Sequence, residues 1–255
     1  MNLVMRYPTL ILVLSLVVLW LSARLGSALG RGRAQLGADE RDDFSLIVAA
    51  TLTLLGLIIG FSFSMASSRY DQRKTFEEAE ANAIGTEYVR ADLLPEADSA
   101  RVRVLLRKYL DQRVLFYETR DGRQIQQIDA TTAQLLGELW SAARVPATAQ
   151  PTPVIALAVS GMNDVLNSQG YTQAAWWNRI PGGAWALMAA IAICCNLLIG
   201  YGVTRAQKEG GLLIVLPLVV SISFFLIADI DSPRAGLIRV QPQNLLSLSQ
   251  SLHTK

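Results

Sequence analysis

Four apolar blocks dominate the pattern of hydrophobic and polar positions along the chain. They run from about Pro8 to Leu25, Phe44 to Ala66, Gly182 to Val203 and Leu212 to Ile230. Each is close to the roughly 20 residues that an α-helix needs to cross a hydrocarbon core about 30 Å thick. The first lacks a small-residue cleavage pattern and is followed by basic residues, so it reads as a retained anchor. Trp176, Trp177 and Trp185 flank the third block, as an interfacial aromatic belt would. Asn196 within that block predicts an interhelical hydrogen bond. Pro217 predicts a kink in the fourth.

The polar stretch between the second and third blocks is also helical in pattern. No breaker follows Ala66 until Pro95, so Phe44–Leu94 predicts one helix about 75 Å long at 1.5 Å per residue. Ala79 and Ala83 on it offer room for close packing, and the acids of "TFEEAEA" read as a solvated face. Pro95 suits the start of a further helix whose Val102, Leu105, Leu106, Tyr109 and Phe116 recur at 3–4 spacing and predict one buried face. Asp121–Gly122 marks a turn. A helix over about Ala130–Val145 turns Leu135, Leu136, Leu139 and Trp140 inward. "VIALAVSGMNDVLNSQG" is too short in apolar length to span and predicts a buried or interfacial helix. No strand alternation appears. The fold class is all-α: a polytopic membrane protein with four transmembrane helices and a helical extramembrane domain inserted between the second and third. The segments divide as 1–66, 67–181, 182–230 and a C-terminal strap with a short amphipathic tail, 231–255.

Composition sharpens this picture. Hydrophobic residues make up 51% of the 255 residues, and the mean hydropathy is +0.31. The formal net charge of +2 gives no electrostatic case for nucleic acid. Between residues 67 and 181, 13 basic residues face 14 acidic ones, so that domain is close to neutral. Cys194 and Cys195 are adjacent within an apolar run and are expected neither to bridge nor to hold a metal. His253 sits near the end. The loop carrying Gly30, Gly32 and Gly37 has neither the spacing nor the strand of a phosphate loop. No catalytic constellation, metal set or cofactor motif emerges, and no enzyme is expected.

The second block carries the clearest signal. Gly56, Gly60 and Ser64 recur every four residues and form a narrow stripe for close helix packing. The opposite face carries Leu54, Ile58, Phe61, Ser62 and Met65, candidates to line a path through an oligomer packed along that stripe, where apolar rings gate by dewetting. At the end of the fourth block, Asp229 and Asp231 stand where a helix C-terminus already carries partial negative charge. Counting spans brings them to the membrane face from which Arg69, Arg73 and Lys74 emerge. Asp229, Asp231, Arg69 and Arg73 are therefore expected to form a charged clamp or an ion mouth. "AGLIRV" beyond them predicts an extended strap, and "NLLSLSQSL" a short amphipathic helix.

Four spans place both termini and the polar domain on one side. Arg6, Arg69, Arg73, Lys74, Arg179, Arg234 and Arg239 lie near membrane ends on that side, against Arg24, Arg31, Arg33, Arg41, Arg205 and Lys208 on the other. So even a balance does not set orientation by the positive-inside rule. A cytoplasmic domain in a bacterial cytoplasmic membrane is the expectation.

Three stretches resemble the bacterial bestrophin-like membrane family: "FSFSMASSRYDQRKTFEEAEANAIGTEYVRADLLP", "RVRVLLRKYLDQRV" and "ADIDSPRAGLIRVQPQNL". The last, an Asp-x-Asp-x-Pro followed by Gly-x-Ile-x-Val, is the most specific. More distantly, the chain is similar to true bestrophins, which are pentameric anion channels with an apolar neck on the second helix. The resemblance implies a self-associating, anion-leaning ion channel in the lipid bilayer, a pentamer by analogy, with the second helix lining the path. The dense acidic cluster of the animal calcium clasp is missing, so calcium gating is not implied. The alternative is a non-conducting scaffold or sensor that couples the bilayer to the helical domain.

Overall fold

The computed structural model describes residues 7–30, 38–202 and 211–253. Arg6, Arg31, Arg33, Arg205 and Lys208, used in the charge comparison above, lie outside them. The described chain is helical: α1 (Pro8–Leu29), α2 (Ala38–Arg90), α3 (Glu96–Glu118), α4 (Gly122–Ala149), α5 (Pro153–Trp177), α6 (Gly182–Gly202), α7 (Val215–Asp231) and α8 (Gln243–His253). Single 3₁₀ turns, Ala91–Leu93 and Leu212–Ile214, follow α2 and precede α7. Among the described residues, four helical stretches are long and apolar enough to cross a membrane: Pro8–Leu29, Glu40–Leu93, Pro153–Gly202 and Leu212–Asp231. The protein is thus an all-α, four-span membrane protein with a helical extramembrane domain between spans two and three. The chain forms two compact units, Met1–Arg69 with Arg179–Arg239, and Tyr70–Asn178 with Val240–Lys255.

In the membrane unit, α1 and α6 touch backbone to backbone. A Cβ added at Gly26 would strike the carbonyl of Leu197, and one added at Gly200 would strike that of Ala23. Gly30, four residues after Gly26, lies against the backbone of Tyr201. Small residues allow this approach because, within lipid, van der Waals contact between helices is the main force available. Gly56 and Gly60 on α2 have the same spacing, yet among the described residues nothing lies within reach of a Cβ at either. Pro217 stands in the first turn of α7, where its missing N–H has no helical partner to lose, so the expected kink is replaced by a helix start. Asn196 donates from Nδ2 to the Ala192 carbonyl of its own helix at 2.8 Å instead of bridging to a neighbour.

The extramembrane unit has a conventional apolar core. Val102, Leu105, Leu106, Tyr109 and Phe116 of α3 are buried as their spacing predicts, with Leu139 of α4, Met162 and Val165 of α5 and Leu245 of α8. Asp121 accepts the Arg123 N–H at 3.1 Å and starts α4. Leu135 and Leu139 are buried, while Leu136 and Trp140 are half-buried. The tryptophan belt needs correction. Trp176 is a core residue, edge-on to Phe116 at 5.0 Å and to Tyr117 at 5.4 Å between centroids, whereas Trp177 is exposed.

The part of α2 in this unit also departs from expectation. Arg73, Glu77, Glu80, Ile84, Glu87 and Ala91 are all buried. Their alternating four- and three-residue steps are the seam of a packed helix, here carrying charge. Of the acids expected to be solvated, only Glu78 is exposed, and Ala79 faces solvent rather than a neighbour. Three of the buried charges meet a complement. Arg73 donates from Nε to the Ala175 carbonyl (3.2 Å) and from Nη2 to that of Asn178 (3.1 Å), at the electronegative end of α5. Glu77 accepts the N–H groups of Asn244 and Leu245, each at 3.0 Å, and the Asn244 amide at 2.7 Å. It thereby satisfies donors that the first turn of α8 leaves free. Glu80 pairs with Arg113 across to α3.

Candidate functional site

The membrane part of α2 is unusually bare. Only 6% of its most apolar window is buried inside the chain, against 50% for the fourth span. Leu55, Ser62 and Ala66 are the buried positions, with Ile58 and Ile59 half-buried. At 3.6 residues per turn these fall along one side of the helix. The diametrically opposite line passes through Thr53, Leu57, Gly60 and Ser64, all exposed. Leu54, Phe61 and Met65 are exposed about a quarter turn away from the buried stripe. The predicted lining set is therefore divided. Leu54, Phe61 and Met65 are open, Ile58 is half-covered, and Ser62 is buried within the chain and leaves the open face. Gly56, Gly60 and Ser64 are open too, so the close packing expected of that stripe is not made within one chain.

The two aspartates at the end of α7 are both buried, and each is held differently. The Asp229 carboxylate accepts the backbone N–H of Leu237 at 2.7 Å and of Ile238 at 2.8 Å. Gly236 packs so tightly against the Asp229 and Ser232 carbonyls that a side chain there would collide with them. The segment after Pro233 is consequently a compact turn, not the extended strap expected of it. Asp231 accepts the Ile180 N–H with both oxygens at 3.2 Å, and its Oδ1 lies 3.7 Å from Arg69 Nη1. Of the four residues expected to cluster, Arg69 and Asp231 form an ion pair, Asp229 binds backbone, and Arg73 donates to the end of α5. Two carboxylates that would oppose the helix dipole are instead satisfied by N–H groups of the adjoining loops. Among the described residues, no group of three or more His, Cys, Asp or Glu side chains is arranged to hold a metal.

Asp229→Ala is expected to cost about 2–4 kcal/mol, since it removes two charge-assisted hydrogen bonds and frees the turn. In a double-mutant cycle by thermal unfolding in detergent, Arg69→Ala should couple to Asp231→Ala by up to about 1 kcal/mol, and not to Asp229→Ala. Coupling to Asp229 in place of Asp231 would contradict the arrangement seen here.

The four apolar helical stretches and the helical domain between the second and third define an all-α, multi-pass membrane protein. The bestrophin-like domain model matches residues 10–245, and the chain belongs to the bestrophin-like family. Among solved structures, a bacterial bestrophin homologue from Klebsiella pneumoniae, determined by Zn-SAD phasing, superposes with a TM-score of 0.60 at 14% identity over 96% of each chain. A single-substitution form of the Klebsiella homologue gives 0.64 at 12% identity over 95% of this chain and 94% of that one. A structure described only as a membrane protein variant gives 0.63 at 12% identity over 95% and 97%. These likenesses establish a shared fold. No curated protein matches the sequence.

Proposed function

We propose that the protein is a homo-oligomeric channel for small ions, in which α2 of each copy lines a shared path through the lipid bilayer. The observation that carries this reading is the bareness of α2. Its uncovered line runs through Thr53, Leu57, Gly60 and Ser64, and the other copies are its proposed cover. Hydroxyls at Thr53 and Ser64 bracket an apolar level at Leu57, with Leu54, Phe61 and Met65 flanking it. Such a level acts as a dewetting gate when several copies bring it together. Gly56, on the flank of that line, then supplies the close contact between neighbouring copies. The fold shared with bestrophin homologues supports the same reading, with the extramembrane domain and termini on the cytoplasmic side and a pentamer as the assembly by analogy.

Purified protein in liposomes should pass small ions, and Leu57→Ser should raise the flux by wetting the narrow level. Intact oligomers that pass nothing, with or without that substitution, would remove the proposal. The unbroken course of α2 from the membrane unit into the other unit favours a second reading, a non-conducting sensor. A monomer or dimer in detergent would speak for it.

A further inference from the structure

Leu237 exposes 82% of its surface, more than any other large apolar side chain among the described residues, and Ile238 beside it exposes 40%. Their backbone is not free to turn them inward. Both N–H groups are held by the buried Asp229 carboxylate, at 2.7 and 2.8 Å. The Gly236 N–H donates to the Ser232 carbonyl at 3.2 Å, and Gly236 packs against the Asp229 carbonyl. These contacts fold the turn back onto the last turn of α7, which closes the fourth span at Asp231. Leu237 is therefore fixed within a side-chain length of the point where an apolar helix leaves the membrane, instead of the roughly 20 Å away that six extended residues would allow. Arg234 and Arg239, both half-buried, stand three residues before Leu237 and two after it. An apolar tip between two guanidinium groups at a membrane exit matches the layering of a bilayer surface, where apolar groups meet acyl chains and arginines reach headgroup phosphates.

We propose that the turn from Ser232 to Arg239 is a phospholipid-binding element. Leu237 and Ile238 insert at the boundary between headgroups and acyl chains, in the leaflet that α7 leaves at Asp231. Arg234 and Arg239 face the phosphates, which accept charge-assisted hydrogen bonds from guanidinium groups. The Asp229 clamp orders the turn before it meets lipid, so little freedom is lost on insertion. The element fixes the depth of the fourth span's end and requires neither an oligomer nor an ion path, so it stands apart from the channel reading.

The test is the accessibility of single nitroxide labels on the full-length protein in vesicles of phosphatidylcholine and phosphatidylglycerol. The exposed Cys194 is replaced by alanine, while Cys195 is buried and can stay. Labels are attached to Leu237→Cys, to Ile222→Cys on the exposed face of α7, and to Gln124→Cys on α4. All three sites are exposed, so the fold does not depend on them. Oxygen concentrates among acyl chains and a nickel chelate in water, so the ratio of their collision rates reads depth. The ratio at position 237 should be several-fold that at position 124 and approach that at position 222. Arg234→Gln with Arg239→Gln should lower it. A ratio at position 237 equal to that at position 124 would place Leu237 in water and overturn the proposal. Low collision rates with both reagents would show a second copy covering the turn, and would overturn it equally.

Discussion

Arg113→Ala should destabilise the extramembrane domain by about 3–5 kcal/mol, among the largest losses any single side chain of this protein can produce. Arg113 and Glu80 both have side chains with 0% exposure. The guanidinium reaches the carboxylate through Nε at 2.5 Å and Nη2 at 3.3 Å. Tyr109 donates to the same carboxylate at 3.0 Å and Thr172 at 3.2 Å, while the Arg113 guanidinium lies 4.3 Å above the Phe116 ring. Burial works against the Arg113 cation, but Glu80 and the neighbouring tyrosines hold its pKa above the usual value. Burial first, then the Glu80 charge, also pushes the Tyr109 and Tyr117 hydroxyls upward, so both stay neutral. Truncating Arg113 strands a carboxylate with two neutral donors, and truncating Glu80 strands a guanidinium. The pair Glu80→Leu and Arg113→Met should therefore cost markedly less than the sum of the single changes, because no charge is then left unmatched. Thermal unfolding of the four proteins in detergent measures this. Strict additivity would show that the two side chains do not depend on one another.

The contrast between Val102 and Glu80 shows where sequence reading succeeds and where it stops. Apolar runs and 3–4 spacing revealed the four spans and the inward face of α3, because burying apolar surface needs no particular partner. A buried carboxylate needs one, and its partner can lie anywhere in the chain. Glu80 meets a residue 33 positions away, Thr172 comes from 92 away, and Glu77 caps a helix 167 residues downstream. Nothing local separates these acids from a solvated face except the four- and three-residue steps linking Arg73, Glu77, Glu80, Ile84 and Glu87. The glycines teach the same lesson. Gly26–Gly30 and Gly56–Gly60 have identical spacing, and among the described residues only the first pair meets another backbone. Spacing states which faces permit contact, and only the assembled helices decide which are used. The Asp229 contacts were within local reach, since Leu237 and Ile238 are only eight and nine residues further on. A run of Pro, Arg, Ala and Gly between them is turn chemistry rather than a strap.

Raising the pH from about 5 to 8 should weaken the packing of α2 on α5, and Glu87→Gln should remove that dependence. Glu87 has 0% exposure, both its carboxylate oxygens are buried without a hydrogen-bond partner, and its side chain fills the space left by the missing Cβ of Gly161 on α5. Burial pushes its pKa from 4.5 up to about 8; Arg90 pulls it down, and Asp164 on α5 adds to the rise. Arg90 also lies 3.8 Å from Asp164, which bridges the same two helices. The native state thus keeps a proton that the unfolded chain releases above pH 4.5. Between about 4.5 and 8 the native state binds more protons, so stability falls with rising pH, by at most about 1.4 kcal/mol per unit, and levels off above 8. Glutamine is uncharged at every pH and should be the more stable variant at pH 8, with the two proteins converging near pH 5. Asp164→Asn should shift the native midpoint downward, whereas Gly161→Ala, which drives a methyl group into Glu87, should destabilise at every pH. Unfolding temperatures of native and Glu87→Gln protein that differ by the same amount from pH 5 to pH 8 would mean that Glu87 is not held neutral against α5.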